Sequence, residues 1–245
     1  MTGTADTHRF AGPMVDVPRW LADLHRRTPA DGAVGLRISG EKDPTAPSPL
    51  DLIEGGGFAL EPPSAEWPPI DDGLTVRRLR TLPDRVGPGM RALVVGLNPS
   101  PASADGGVAF ARPGNRFWPA MLAAGLATVD RDPVHALDHH GVGFTDLVKR
   151  TTRQAAELDA LDYRNGLARL DRLCAWLRPE RVIMVGLTGW RAAVDRKATA
   201  GWQEPDLGGS PVYLMPNTSG LNAHTTLDGF IEHLRAAQGS PPPAP

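Results

Sequence analysis

Cysteine is nearly absent from this chain of 245 residues. The single Cys174 excludes an internal disulfide framework and any zinc or iron–sulfur site that needs four thiolates. Long apolar runs are missing too. No stretch of eighteen apolar residues occurs, and the first thirty positions carry Pro13, Asp16, Pro18 and Arg19 where a signal peptide needs unbroken apolar sequence. The expectation is a soluble, unexported protein without membrane contact, working in the cytoplasm. Charge of one sign is also lacking overall, at net -2, but the balance hides a division. Residues 1–73 hold 6 Lys and Arg against 12 Asp and Glu, a net of -6, whereas residues 74–245 hold 20 against 16, a net of +4. A mildly basic body with an acidic front piece is compatible with salt-dependent phosphate binding, although such a charge is commonplace.

The front piece holds ten prolines and nine glycines, and Glu61 to Pro69 reads as a linker. Within it the patterns give a helix over Val17 to Arg27, a strand over Ala33 to Ser39, a second helix over Leu50 to Glu54 and a returning strand over Leu74 to Leu79. DLIEGGGFAL followed by TVRRLRTLPD resembles the last helix and hairpin of a class I methyltransferase, but no glycine-rich loop follows a first strand to hold that cofactor. Two readings stay open: a small α/β remnant, or an acidic adaptor that packs on the body or stays mobile. The division drawn is 1–73 appendage, 74–238 body and 239–245 disordered tail.

In the body, apolar runs at Arg91 to Leu97, Arg181 to Leu187 and Pro211 to Met215 read as strands. Leu167, Leu170, Leu173, Cys174 and Leu177 fall at helical spacing, as do Leu227, Phe230, Ile231 and Leu234 after a Thr225-Thr226 start. Strands of this kind between helices predict a mainly parallel central sheet in a three-layer α/β/α fold. Ligands of such sheets bind beyond the carboxyl ends of the strands. There the chain places Asn98, which Pro99 biases to extended backbone, and a polar turn from Met215 to His224. Each alone is equally an ordinary strand exit with a turn-forming Asn. His139-His140 lacks a spaced carboxylate or cysteine, so no metal is expected. A serine hydrolase built on Ser219, His224 and Asp228 lacks the G-x-S-x-G elbow.

Four segments in order carry a more specific signal: GLNPSPAS at Gly96 to Ser103, FARPGNRFWPA at Phe110 to Ala120, GVGFTDLVKRTT at Gly141 to Thr152, and MPNTSGLNAH at Met215 to His224. Together they resemble the mismatch-specific uracil-DNA glycosylases and the related thymine-DNA glycosylases, over about Leu79 to Leu234. The resemblance implies a monofunctional DNA N-glycosylase of base excision repair, a hydrolase without cofactor. It would act as a monomer at the nucleoid on double-stranded DNA carrying G·U, with G·T and ethenocytosine as further candidate lesions. A flipped nucleotide would lose its base through an oxocarbenium-like transition state.

Residue by residue, the resemblance makes Asn98 the group that positions water. An amide cannot accept the water's proton at neutral pH, so the chemistry would be slow. Backbone N–H groups of Leu97 to Ser103 and Phe110 would hold base oxygens, Phe110 would stack on the base, and the Ser103 hydroxyl would hold water or a base oxygen. Phe110 as a core residue is the alternative, set against a polar loop read over Ala104 to Ala109. Ser219, Gly220, Leu221 and Asn222 match the loop that enters the duplex, with Leu221 as wedge and Asn222 on the unpaired base. Relatives often carry arginine next, where this chain has Ala223 and His224, which leaves either weaker holding or compensation by His224. Asp146 stands where relatives have asparagine or lysine. It would accept a hydrogen bond from base N3–H or an exocyclic amine, with a raised pKa and a preference shifted from plain uracil, or else merely cap the following turn. Arg112, Lys149, Arg150 and Arg153 would neutralise phosphates or remain solvated. Asn115, Arg116, Phe117 and Trp118 begin a helix, with Arg116 structural. A catalytically weak or inactive lesion-sensing protein of the same fold is the competing reading.

Overall fold

Proline and glycine punctuate the N-terminal third, yet its apolar residues are spaced to build ordered elements. The computed structural model describes residues 6–39, 43–62 and 73–241. Strand β1 (Thr7–Phe10) pairs parallel with β2 (Ala33–Ile38), and between them lies helix α1 (Val17–Arg27). Pro18 occupies the first turn of α1 and His25, Arg26 and Arg27 the last, where positive charge complements the exposed carbonyls. Helix α2 (Pro49–Gly55) starts at Ser48, whose side chain accepts the Asp51 N–H. Strands β3 (Phe58–Leu60) and β4 (Leu74–Arg78) complete a sheet of order β1-β2-β4-β3. A cut at 73/74 therefore separates β4 from both of its partners. From residue 63 onward the linker reading falls outside the described residues, and so does the tail after 241.

The body follows: β5 (Ala92–Gly96), α3 (Pro101–Gly106), α4 (Phe117–Ala123), α5 (Pro133–His140), β6 (Val142–Asp146), α6 (Ala160–Leu177), β7 (Val182–Val185), α7 (Thr188–Ala193), β8 (Gly201–Leu207), β9 (Ser210–Met215) and α8 (Leu227–Gln238). The sheet order is β6-β5-β7-β9-β8, parallel throughout except for the antiparallel edge strand β8. Residues along a strand alternate between faces, and the two cores divide accordingly. Leu93, Val95, Val182, Met184, Val212 and Leu214 pack with Leu170, Leu173 and Cys174 of α6 and Trp190 of α7. Ala92, Val94, Ile183, Val185, Tyr213 and Met215 pack with Phe117 and Met121 of α4, Ala136 of α5 and Phe230 and Leu234 of α8. This is the three-layer α/β/α arrangement that the alternating pattern predicts.

The N-terminal sheet is an extension of the first core. Leu21, Leu24, Leu36, Phe58 and Val76 belong to the same buried cluster as Leu93 and Leu170. Polar ties cross the junction as well. Arg172 of α6 donates twice to Asp51 of α2, both at 2.8 Å, and the Trp176 indole donates to Asp43 at 2.7 Å.

Four strands escape a reading by periodicity: the short β1 and β3, with four and three residues, and β6 and β8 of the body. β6 is buried at all five positions and includes Gly143, Thr145 and Asp146, so it shows neither alternation nor an apolar run. β8 carries Glu204, Pro205 and Asp206 in its exposed middle, which suits an edge but not a recognisable strand.

Candidate active site

Four parallel strands end at one rim, and the segments leaving them enclose a cavity of about 200 Å³. Leu97 to Ser100 follow β5, Asp146 closes β6, Gly186 and Thr188 follow β7, and Asn217 and Ser219 follow β9. Gly96 makes the close approach possible. A Cβ there would run into Asp146 Oδ1 while reaching only ordinary contact, 3.5 Å, with Phe110 Cζ, so glycine leaves room for the Asp146 carboxyl where it stands.

The orientation of Asn98 follows from its partners. Its Nδ2 lies 2.9 Å from the Arg150 carbonyl oxygen and 2.8 Å from Thr152 Oγ1. A carbonyl oxygen only accepts, so the NH2 group must face it, and Oδ1 is left as the acceptor at the cavity. Thr152 is held in turn by donating to the Gln154 carbonyl oxygen at 2.9 Å. An acceptor fixed in this way suits the positioning of a water molecule.

Phe110 adopts a left-handed backbone conformation, with φ of 57°. The segment is held where the Trp118 indole donates to the Ala109 carbonyl oxygen at 2.8 Å, and the Phe110 ring stacks on Phe117 with centroids 4.0 Å apart. Half-buried and lining the cavity, Phe110 is backed by the core without being part of its interior. The stretch before it is not wholly a loop: Ala104 to Gly106 end helix α3, and the chain opens only at Gly107, itself left-handed. That helix also consumes donors. The Ser103 N–H is taken by Ser100 Oγ at 3.2 Å and the Ala104 N–H by the Ser100 carbonyl oxygen at 2.9 Å. The backbone amides of Ser100 and Phe110, both residues that line the cavity, have no backbone acceptor among the described residues.

Asp146 is buried at the cavity wall, and among the described residues its carboxyl accepts no hydrogen bond from the protein. Burial pushes this carboxyl up to about 6, against the pull of Lys149 and Arg169 and with a push from Asp84. Behind it lies a fully buried polar cluster. Asp84 accepts from Lys149 Nζ at 2.8 Å, from Arg169 at 2.8 Å and from the Thr145 hydroxyl, while Arg169 also donates to the Asp146 backbone oxygen at 2.9 Å. The phosphate role read for Lys149 is thereby corrected, because its ammonium is turned inward to neutralise Asp84. Arg150 pairs with Asp162, which leaves Arg112 and Arg153 as exposed cavity-lining cations without an ion pair among the described residues.

Across the cavity, the Ser219 to His224 loop presents Leu221 at 83% exposure. Arg116 fixes this loop from beneath. Its guanidinium donates to the carbonyl oxygens of Thr225 at 2.7 Å, Ser219 at 3.3 Å and Asn222, and lies 4.8 Å above the Phe230 ring. Gly220 passes close to Gly114, where a Cβ would meet a carbonyl oxygen at 3.0 Å. Asn222, read from the sequence as a contact to the unpaired base, is tied within the loop in this structure. Its Nδ2 donates to the Asn217 carbonyl oxygen at 2.7 Å and its Oδ1 accepts the His224 N–H at 3.0 Å, so both ends brace the loop. His224 itself is exposed. His139 and His140 lie near His135 at the end of α5, and no cluster of side chains suited to a metal occurs among the described residues.

A sequence model of the uracil DNA glycosylase superfamily matches residues 83–237, a span that takes in every cavity-lining residue except Leu82. The chain belongs to the uracil DNA glycosylase superfamily. Membership makes it a DNA N-glycosylase, a hydrolase that acts on DNA at uracil-like lesions. The loop-bracing role of Arg116, the clamp on Asn98 from Arg150 and Thr152, and the Asp84 cluster are the parts of this glycosylase that motif reading leaves unseen. NRFW and KRTT are visible as segments, but nothing in them tells which atoms turn inward.

Proposed function

We propose that the protein is a monofunctional, mismatch-specific DNA glycosylase that excises uracil and related pyrimidines opposite guanine, in base excision repair. The observation that carries this reading is the fixed amide of Asn98, whose Oδ1 is left to accept a hydrogen bond from water at the cavity. As the bond between base and sugar lengthens, positive charge grows on the sugar and negative charge on the base. Little nucleophilic push is needed, so orientation of water by a neutral amide suffices. The backbone amides of Ser100 and Phe110 hold the developing anion, and the free face of Phe110 stacks on the ring. Leu221 fills the space the nucleotide vacates.

Asp146 sets the choice of base. With a pKa near 6 this carboxyl is largely ionised at neutral pH, and its charge disfavours a departing uracil anion and favours a base that donates N3–H or an exocyclic amine. The test is single-turnover base release from duplexes carrying G·U, G·T, A·U or ethenocytosine, for the wild type beside Asn98→Ala. Release that disappears in the variant while duplex binding persists supports the assignment. Binding without release from any duplex would instead favour a lesion-sensing role on the same fold.

A further inference from the structure

The superfamily match begins at residue 83, but the surface beside the cavity does not stop there. A groove of about 610 Å³ runs on from the base cavity, and Thr152 and Arg153 line both. Its other wall comes from Leu79 and Arg80, the residues that leave β4 of the N-terminal sheet, and from Glu54 of α2. The two walls are stitched together at the backbone. Thr151 Oγ1 donates to the Arg80 carbonyl oxygen at 2.6 Å, and Thr81 Oγ1 donates to that of Lys149.

The charges of the groove differ in availability. Lys149 is buried against Asp84, Arg150 is paired with Asp162, and Glu157 spends Oε1 on the Gln154 N–H at 2.7 Å. Arg153 is exposed and unpaired among the described residues. Arg80 makes a two-point contact with Asp105, at 2.7 and 2.6 Å, yet the side chains of that pair are 60% and 57% exposed. An exposed ion pair contributes little, and a planar guanidinium donates to a phosphate in the same two-point geometry.

We propose that this groove holds the sugar-phosphate backbone of duplex DNA beside the cavity, with or without a lesion, and that Arg80 of the N-terminal unit exchanges Asp105 for a DNA phosphate there. The inference rests on the reading of the neighbouring cavity as the base pocket. It makes the N-terminal unit part of the DNA interface.

The experiment measures binding of the full chain to a lesion-free duplex across a salt series, for the wild type, Arg80→Ala, Arg80→Lys and Asp105→Asn. Arg80→Ala is expected to reduce the slope of log K against log salt by about 1 and to weaken binding roughly 3- to 10-fold at low salt. Arg80→Lys keeps the slope. Asp105→Asn, which frees Arg80, tightens binding. The opposite signs of Arg80→Ala and Asp105→Asn separate a phosphate contact from a structural ion pair, whose loss from either side acts in one direction. An unchanged slope in Arg80→Ala, or a weakening in both variants, overturns the proposal. Binding to lesion-free DNA involves no chemistry, so a wild type that releases no base overturns the glycosylase reading and leaves this result standing.

Discussion

Asp84 and Arg169 form an ion pair at 2.8 Å in which neither side chain is more than 4% exposed. Asp84 belongs to the segment joining the N-terminal sheet to β5, and its own N–H donates at 2.7 Å to the Gly55 carbonyl oxygen at the end of α2. Arg169 belongs to α6. The pair therefore locks the N-terminal unit, the helix layer and the Asp146 backbone to one another.

Replacing Asp84 by Ala leaves Lys149 and Arg169 buried without their counter-charge. The expected loss is about 3–5 kcal/mol of unfolding free energy, read from denaturant titration. Both halves should still unfold in one transition, because they share a core. A loss below about 1 kcal/mol would mean that water reaches the cluster.

Asp146→Asn should stabilise the protein at neutral and alkaline pH. The folded carboxyl holds its proton more tightly than its ordinary value of 3.8, so its favourable contribution is complete below that value and is lost as pH rises through about 6. At pH 8 the buried charge costs about 3 kcal/mol on the linkage relation. Melting curves of the two proteins should therefore diverge between pH 4 and 8, with the variant higher. Parallel curves would show that Asp146 is well solvated.

His25 behaves in the opposite sense. Burial lowers it to about 4, although its Nε2 bonds to the Leu79 carbonyl oxygen at 2.9 Å. The stability this represents is present above the ordinary value of 6.5 and is lost as pH falls through about 4. His25→Gln should flatten the fall in melting temperature between pH 6.5 and 4. An equally steep fall in the variant would assign the acid lability to other groups.

Leu221→Ala should separate stability from activity. At 83% exposure the side chain contributes little to folding, so the melting temperature stays within about 2 °C. Base release from duplex DNA should drop by about tenfold or more, with a smaller effect on single strands, where no stack has to be filled. Equal effects on both substrates would remove Leu221 from the wedge role.

Sequence reading locates these features unevenly, and for physical reasons. Helices α1 and α8 declare themselves because an exposed face forces 3.6-residue periodicity and because Pro18 and Thr226 mark their starts. β6 is silent, since all five of its residues are buried. Motif order brings Asn98, Phe110, Asp146 and Ser219 to one cavity. It does not say which of two adjacent cations turns inward, and Lys149 rather than Arg150 does so. Asp84 and Arg169 are 85 positions apart, and no local pattern announces a pairing over that distance.

The clamp on Asn98 also limits how this enzyme can change. An aspartate at position 98 offers a stronger base, but its second oxygen would face the Arg150 carbonyl oxygen, acceptor against acceptor, in place of the present 2.9 Å hydrogen bond. Thr152 already gives its proton to the Gln154 carbonyl oxygen and would have to turn away from it to donate to the carboxylate. A single substitution thus leads downhill before any gain in chemical rate. A faster descendant would have to acquire the carboxylate together with a rebuilt segment from Arg150 to Gln154.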